Sequence, residues 1–317
     1  MKKIFGLILA AVVGLSACSV ETGAGEEGLS VVCTVFPVYD WVREILGDNP
    51  ANVELALLTE SGEELHSYQP TAGDLVTIYD SDLFLYIGGE SDRWATALLL
   101  GQETKAASLV LLLKDSVKTE ETVEGMEGEA DGAVDEHVWL SLANARAAVG
   151  EIAALLGGID PANADVYAAN AAAYTARLDA LDGEYRAAIE SAAKKTLIFG
   201  DRFPFRYLVD DYGLDYYAAF PGCSAETEAS FETVIFLAAK ADEIGADAIL
   251  TLKGSDQRIA EAVVNNTKDR EQTILTLDPM QSVSLAEAEG GTTYLSIARD
   301  NLEILKQALG AEGGSGE

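Results

Sequence analysis

Only two histidines occur among the 317 residues, and each sits in polar, turn-forming surroundings. His66 lies in Glu64-Leu65-His66-Ser67-Tyr68-Gln69-Pro70, after a strand-like segment and before a helix-like one. His137 lies in Asp135-Glu136-His137-Val138-Trp139-Leu140, where an acidic stretch gives way to an apolar one. Neutral imidazole is a metal ligand that titrates near neutrality, so two of them brought together would bind a divalent cation and release it as pH falls. The plain alternative for a histidine at such an edge is a hydrogen-bonded surface residue, and composition alone leaves both open. Catalytic signatures are missing: there is no His-Glu-x-x-His, no nucleophile elbow and no Gly-rich phosphate loop, so an enzyme is not expected.

The elements that must position these side chains alternate along the chain. Strand-like segments at 30–35, 53–58, 82–87 and 108–113 alternate with helix-like ones near 38–47, 71–79 and 92–100. A second series has strands at 196–199, 215–219, 247–252 and 273–277 and helices near 204–212, 227–243, 256–267 and 294–309. Each series predicts an α/β lobe with a mostly parallel sheet, over 29–159 and 194–310. Between them Asp160-Pro161 opens an Ala-rich stretch with Tyr167, Tyr174, Leu178, Leu181 and Tyr185 at helical spacing. Asp160 suits an N-cap and Pro161 a first turn, which predicts one linker helix over 160–193, roughly 50 Å long. Gly183 leaves two shorter helices as the alternative. A ligand would bind in the cleft between lobes so joined.

Carboxylates outnumber Lys and Arg by 53 to 21, for a net charge of −32. Such a balance argues against nucleic acid and against direct docking on anionic lipid, and fits either a self-repelling soluble surface or cation handling. The acid concentrates in 114–136, read either as a solvated excursion or as weak cation capture leading into His137. At the N-terminus, Lys2 and Lys3 precede an apolar run and then Leu15-Ser16-Ala17-Cys18, which predicts a cleaved leader over 1–17. That ending resembles a bacterial lipobox, with Cys18 lipidated; a plain secretory signal is the alternative. Residues 18–28 read as a flexible tether and 311–317 as a disordered tail, and no further stretch is expected to reach bilayer length. Cys33 reads as a small core residue, Cys223 in the loop 220–224 has no assigned role, and one disulfide between them stays open.

Several motifs in order and spacing make the chain resemble the zinc/manganese solute-binding lipoproteins of bacterial ABC importers. They are Val32-Cys33-Thr34-Val35-Phe36-Pro37-Val38-Tyr39-Asp40, the His-x-Tyr-x-Pro of 66–70, Asp82 to Gly88 and His137-Val138-Trp139-Leu140. Asp160-Pro161-Ala162-Asn163, Tyr212-Gly213-Leu214, Glu228-Ala229-Ser230 and Leu277-Asp278-Pro279 continue the likeness. The resemblance implies two α/β lobes joined by one rigid helix, a divalent ion in the cleft, and a monomer that delivers it to a permease and its ATPase. It implies His66 and His137 as first-lobe ligands and Asp278 as a second-lobe carboxylate. Family members carry His or Glu soon after the strand opening the second lobe, where this chain has Phe199-Gly200-Asp201-Arg202-Phe203. Asp201 is the nearest competent donor, with Glu226, Glu228, Cys223 or water as replacements. Two imidazoles and two carboxylates around a divalent ion are net neutral and suit Zn²⁺, with Mn²⁺ or iron as alternatives. Some relatives of the family are described as adhesins, so adhesion or metallochaperone work on the same fold, or a site that no longer binds tightly, are the other readings.

Overall fold

The computed structural model describes residues 28–99, 105–128, 132–222 and 228–311. The leader, Cys18, Cys223, Glu226 and residues 312–317 lie outside the described residues. In the first lobe, β1 (Ser30–Cys33), β2 (Glu54–Leu57), β3 (Leu83–Tyr86) and β4 (Ala106–Ser108) form an all-parallel sheet in the order β2-β1-β3-β4. Val31 stands opposite both Leu55 and Leu83. The residues of β3 and all but the first of β1 are buried, as parallel strands covered on both faces must be. The crossovers carry α1 (Phe36–Leu46), α2 (Ala72–Asp80) and α3 (Arg93–Leu99). Thr71 and Asp74 start α2 with a reciprocal capping box.

The strand expected over 108–113 is corrected by the structure. It ends at Ser108, and Leu109–Leu112 is a single helical turn, α4, with Leu111 pointing out at 70% exposure. A short apolar run does not distinguish the two conformations by its pattern.

Two antiparallel helices follow, α5 (Leu142–Ile159) and α6 (Ala164–Ser191). The α6 face carrying Tyr167, Ala171, Tyr174, Leu178, Leu181, Tyr185 and Ile189 is buried at steps of three and four residues. It packs on α1 and α5 and then on the last helix of the chain, so it runs along both lobes. The helix starts three residues after Pro161 because Asp160 instead accepts bonds from Asn163 Nδ2 and Tyr167 Oη, each at 2.7 Å. Its 28 residues make it about 42 Å long, and it passes Gly183 unbroken. Helix α5 is a second correction: by length and composition it could cross a membrane. Its apolar side, including Leu142, Val149, Ile152 and Leu156, is buried against α6 and α1, which makes it a core helix.

The second lobe repeats the first. Its strands β5 (Thr196–Phe203), β6 (Asp215–Pro221), β7 (Ala248–Leu252) and β8 (Thr273–Leu277) are parallel in the order β6-β5-β7-β8. They are interleaved with α7 (Arg206–Tyr212), α8 (Phe231–Ile244), α9 (Arg258–Asn266), α10 (Leu285–Glu289) and α11 (Tyr294–Leu309). The molecule is thus two α/β lobes with parallel sheets joined by a long linker helix. One hydrophobic cluster runs through both, from Val31 and Trp41 to Leu302 and Leu305.

Candidate metal centre

Parallel sheets gather polar groups beyond the carboxyl ends of their strands, and both histidines are found there. His66 sits in a 3₁₀ turn (Leu65–Ser67) between β2 and α2; His137 immediately precedes another (Val138–Leu140) that leads into α5. Their ring centres are 5.4 Å apart, with the planes inclined at 66°. The resemblance's two first-lobe ligands are therefore neighbours in space, although 71 positions separate them in the chain.

Each imidazole is pinned through Nδ1. His66 Nδ1 lies 2.7 Å from Ser91 Oγ and 2.9 Å from Glu136 Oε1. Glu136, fully buried, accepts from the Ser91 hydroxyl and, at 3.0 Å, from the Ser91 backbone N–H. His137 Nδ1 donates to Asp135 Oδ1 at 2.9 Å. A carboxylate on Nδ1 holds the proton there and turns Nε2 into a lone pair. Both Nε2 atoms are buried and have no hydrogen-bond partner. A buried polar atom left unpaired is costly, and two of them on adjacent rings are what a bound cation would satisfy.

The electrostatics agree. Burial alone would raise the Glu136 carboxyl, but the His66 hydrogen bond, the two imidazoles and Ser91 outweigh it and hold it down at about 2. Burial would lower His137, and its bond to Asp135 with the surrounding carboxylates raises it instead. Space is as tight as the bonding. A Cβ on Gly89 would fall 2.3 Å from Glu136 Oε2, and one on Gly222, at the end of β6, would fall 3.2 Å from the His137 ring. Glycine is required at Gly89 for that close approach.

The second-lobe donors suggested by the resemblance are engaged elsewhere. Asp201, on β5, accepts from the Leu252 N–H at 3.1 Å and from the Arg202 N–H at 2.8 Å, tying β5 to the end of β7. Asp278 pairs with Lys253 at 3.0 Å and accepts from the Met280 N–H at 2.7 Å, in a cavity shared with Asn301. Neither is bonded to an imidazole, and Glu228 is exposed. Among the described residues no group of three or more His, Cys, Asp or Glu side chains is already gathered about one point. Cys33 is a free, fully buried thiol.

What the second lobe brings to the seam was not anticipated. Gln281, 4% exposed, donates from Nε2 to Glu64 Oε1, and Glu64 Oε1 lies 3.7 Å from His66 Nε2. The His137 turn is held by Trp139 Nε1 on Pro279 O at 2.9 Å and by Tyr294 Oη on Trp139 O at 2.6 Å. Tyr207 Oη donates to Asp135 O at 2.7 Å and accepts from the Lys118 N–H. Glu64 stood two residues before His66 and Ser91 inside a glycine-flanked turn, but no periodicity marks such partners. The described residues of the acidic stretch likewise lie on the second lobe: Lys118 pairs with Asp210, Glu121 with Arg206, and the Glu127 N–H donates to Ala219 O.

Two parallel-sheet lobes with an imidazole pair at their seam define a bilobal binding protein. A family model, the periplasmic zinc-uptake complex component A (ZnuA), matches residues 31–308, and the chain belongs to that family. It is 32% identical, over 99% of its length, to the zinc-binding lipoprotein AdcA of Streptococcus pneumoniae, of which it spans 62%. The high-affinity zinc uptake system protein ZnuA of Bacillus subtilis is 29% identical over 95% of this chain and 94% of that one. A solved structure of the laminin-binding protein Lmb of Streptococcus agalactiae, described as bifunctional with adhesin and metal transporting activity, superposes with a TM-score of 0.72. It is 26% identical, covering 89% of this chain and all of that one.

Proposed function

We propose that this protein is the extracytoplasmic solute-binding component of an ABC importer for a divalent metal ion, zinc first, captured between the lobes. The observation that carries this reading is the pair of buried imidazoles whose Nδ1 atoms are pinned by carboxylates and whose Nε2 atoms have no hydrogen-bond partner. His66 and His137 are the nitrogen ligands. The zinc named in the AdcA and ZnuA relatives supports that ion over manganese or iron, as does the usual affinity order for nitrogen donors. Cys18 carries the lipid that anchors the chain outside the membrane, in keeping with the lipoprotein relative. A permease and its ATPase receive the ion, the protein works as a monomer, and its role is transport, not catalysis. Lmb's printed description favours laminin-type adhesion as a second reading.

Competitive titration of the chelator-stripped protein with Zn²⁺ and Mn²⁺ tests the proposal. One tight site per chain, weakened by orders of magnitude in His66→Ala and in His137→Ala, is expected. An unchanged Kd in either variant refutes the centre.

A further inference from the structure

The proposed lipid at Cys18 lies upstream of the described residues, and the place where they begin is a feature of the fold. Gly28 and Ser30 lead into β1 at the amino end of the first sheet, where they line a cavity of about 640 Å³ with Thr77 and Asp80 of α2. Ser30 Oγ bonds to Asp80 O at 3.5 Å and the Ser30 N–H donates to Asp82 Oδ2 at 2.8 Å, so the last turn of α2 is fastened beside the start of the strand. We propose that the outer face of α2, carrying Ala72, Val76 and Tyr79, is the surface through which the anchored protein rests on the bilayer. This rests on the reading of Cys18 as the lipid anchor.

Helix α2 is covered on one side only, and Ile78 is its single buried residue. Val76 is 59% exposed and Tyr79 42%, and with the exposed Ala72 they stand at i, i+4 and i+7, on one helical face. A tyrosine ring is apolar in body and polar at its tip, which suits the boundary between acyl chains and headgroups. The bilayer is selected as the occupant by the length of chain between lipid and fold. Ten positions separate Cys18 from Gly28, at most roughly 35 Å when fully extended. A lipid at Cys18 therefore keeps the bilayer within reach of this end of α2 and makes the second contact an intramolecular one. The exposed carboxylates of Asp80 and Glu54 beside the cavity set the lipid class, because they repel anionic headgroups and leave zwitterionic lipid as the match. A second copy on the same face would oppose those carboxylates with their own kind.

The contact fixes an orientation. All four strands of the first sheet are parallel, so their amino ends lie with Gly28 and their carboxyl ends with the imidazoles. Helix α2 runs back from the His66 turn to Asp80, roughly 13 Å along its axis. With Tyr79 and the start of β1 at the bilayer, the His66 turn stands off the surface, in water. The seam is then open to the medium while the protein rests, and on the proposed transport role a permease receives the ion only after this face lets go of the lipid.

The test uses the full lipidated chain, with Cys223→Ser, in phosphatidylcholine vesicles that contain a doxyl-labelled quencher lipid. A fluorophore is attached at Val76→Cys in one sample and at Leu111→Cys in another; Cys33 is fully buried and takes no label. Leu111 is the control because it is apolar, 70% exposed, and follows the carboxyl end of β4, at the imidazole end of the sheet. Quenching at position 76 is expected to exceed that at 111 several-fold, and to be lost in Tyr79→Asp while the chain still floats with the vesicles. Tyr79→Ser, a milder change, should reduce it and guards against misfolding of the aspartate variant. Replacing phosphatidylcholine by phosphatidylglycerol at low salt should also weaken it. Equal quenching at both positions, quenching that survives Tyr79→Asp, or a floating chain with neither label quenched would overturn the contact and leave the anchor standing. A mass without lipid on Cys18 would overturn the anchor and the contact with it. A label at 76 shielded without vesicles, in a Cys18→Ser chain that sediments as a dimer, would give the face to a second copy and overturn the bilayer.

Discussion

Glu136→Gln is the most informative perturbation of the orienting shell around His66. The native carboxylate uses both oxygens: Oε1 faces His66 Nδ1 at 2.9 Å and the Ser91 hydroxyl, and Oε2 receives the Ser91 N–H at 3.0 Å. A glutamine offers one oxygen, so at one position an amide N–H must face another donor. Hydrogen bonds to charged groups contribute about 1.5–3 kcal/mol net. If the loss falls on His66, the proton is no longer fixed on Nδ1 and the ring can turn its lone pair away from the centre. A 10–100-fold loss of metal affinity corresponds to about 1.4–2.7 kcal/mol, the same range. The assay is a chelator-competition titration near neutral pH, paired with nitrogen-15 NMR of the stripped protein. Only two histidines are present, so the imidazole signals resolve the tautomer directly. An unchanged Kd together with an unchanged His66 tautomer would refute the claim that Glu136 sets the ring.

Asp92 gives a pH signature separate from metal. Burial raises its carboxyl from 3.8 to about 6, against the Ile87 N–H that lowers it, with Glu136 adding to the rise. A raised acid destabilises the fold when ionised, so stability present below pH 3.8 declines as pH rises through about 6. Asp92→Asn should therefore raise Tm at neutral pH by the equivalent of up to about 3 kcal/mol and change little near pH 4; a Tm gain that is the same at both would sink this account. Gly89→Ala should weaken metal binding while leaving β3 and α3 intact by circular dichroism, because its methyl displaces Glu136; wild-type affinity would show that the close approach is dispensable. Asp201→Asn should cost about 1–3 kcal/mol in denaturant unfolding of the stripped protein, since Oδ1 and Oδ2 each accept a backbone N–H. A change confined to metal affinity would instead place Asp201 in the ligand set. Because His137 is raised above its ordinary value, protons should begin to displace the ion above pH 6.5; Zn²⁺ affinity flat down to pH 6 would contradict this.

Much of the fold was legible. The expected strand over 273–277 is β8 residue for residue, and 294–309 is α11, bounded by the Thr293–Ser296 capping box and the left-handed Gly310. Those ends are written in local chemistry. Helix α5 was not legible, because its Ala- and Gly-rich turns carry little contrast between faces, and only contact with α6 selects the buried side. The turn at Leu109–Leu112 was not legible for a different reason, a short apolar run whose pattern suits strand and helix equally. At the site, imidazoles announce themselves by rarity, whereas Glu64, Ser91 and Gln281 are common residue types whose meaning lies in who faces them across the chain. Asp201 and Asp278 show the converse: a competent donor at a plausible position can be occupied by a neighbouring N–H or Lys253. The acidic stretch reads by composition as a free loop, yet its Lys118 and Glu121 are tied to Tyr207, Tyr216 and Arg206 of the other lobe.

The ties across the seam set a clock as well as a shape. Arg43 donates to Ala288 O, Asp40 accepts from the Tyr294 N–H, the Leu285 N–H meets Glu60 O, and Tyr207 and Trp139 cross the seam near His137. With a shared core behind them, a wide hinge opening would break all of these together. Local unfolding at free energies below the global value is the cheaper opening. On the proposed transport role, the ion's residence time would follow how often the His66 turn and the Glu64–Gln281 contact fray, and a permease would speed unloading by favouring that frayed state.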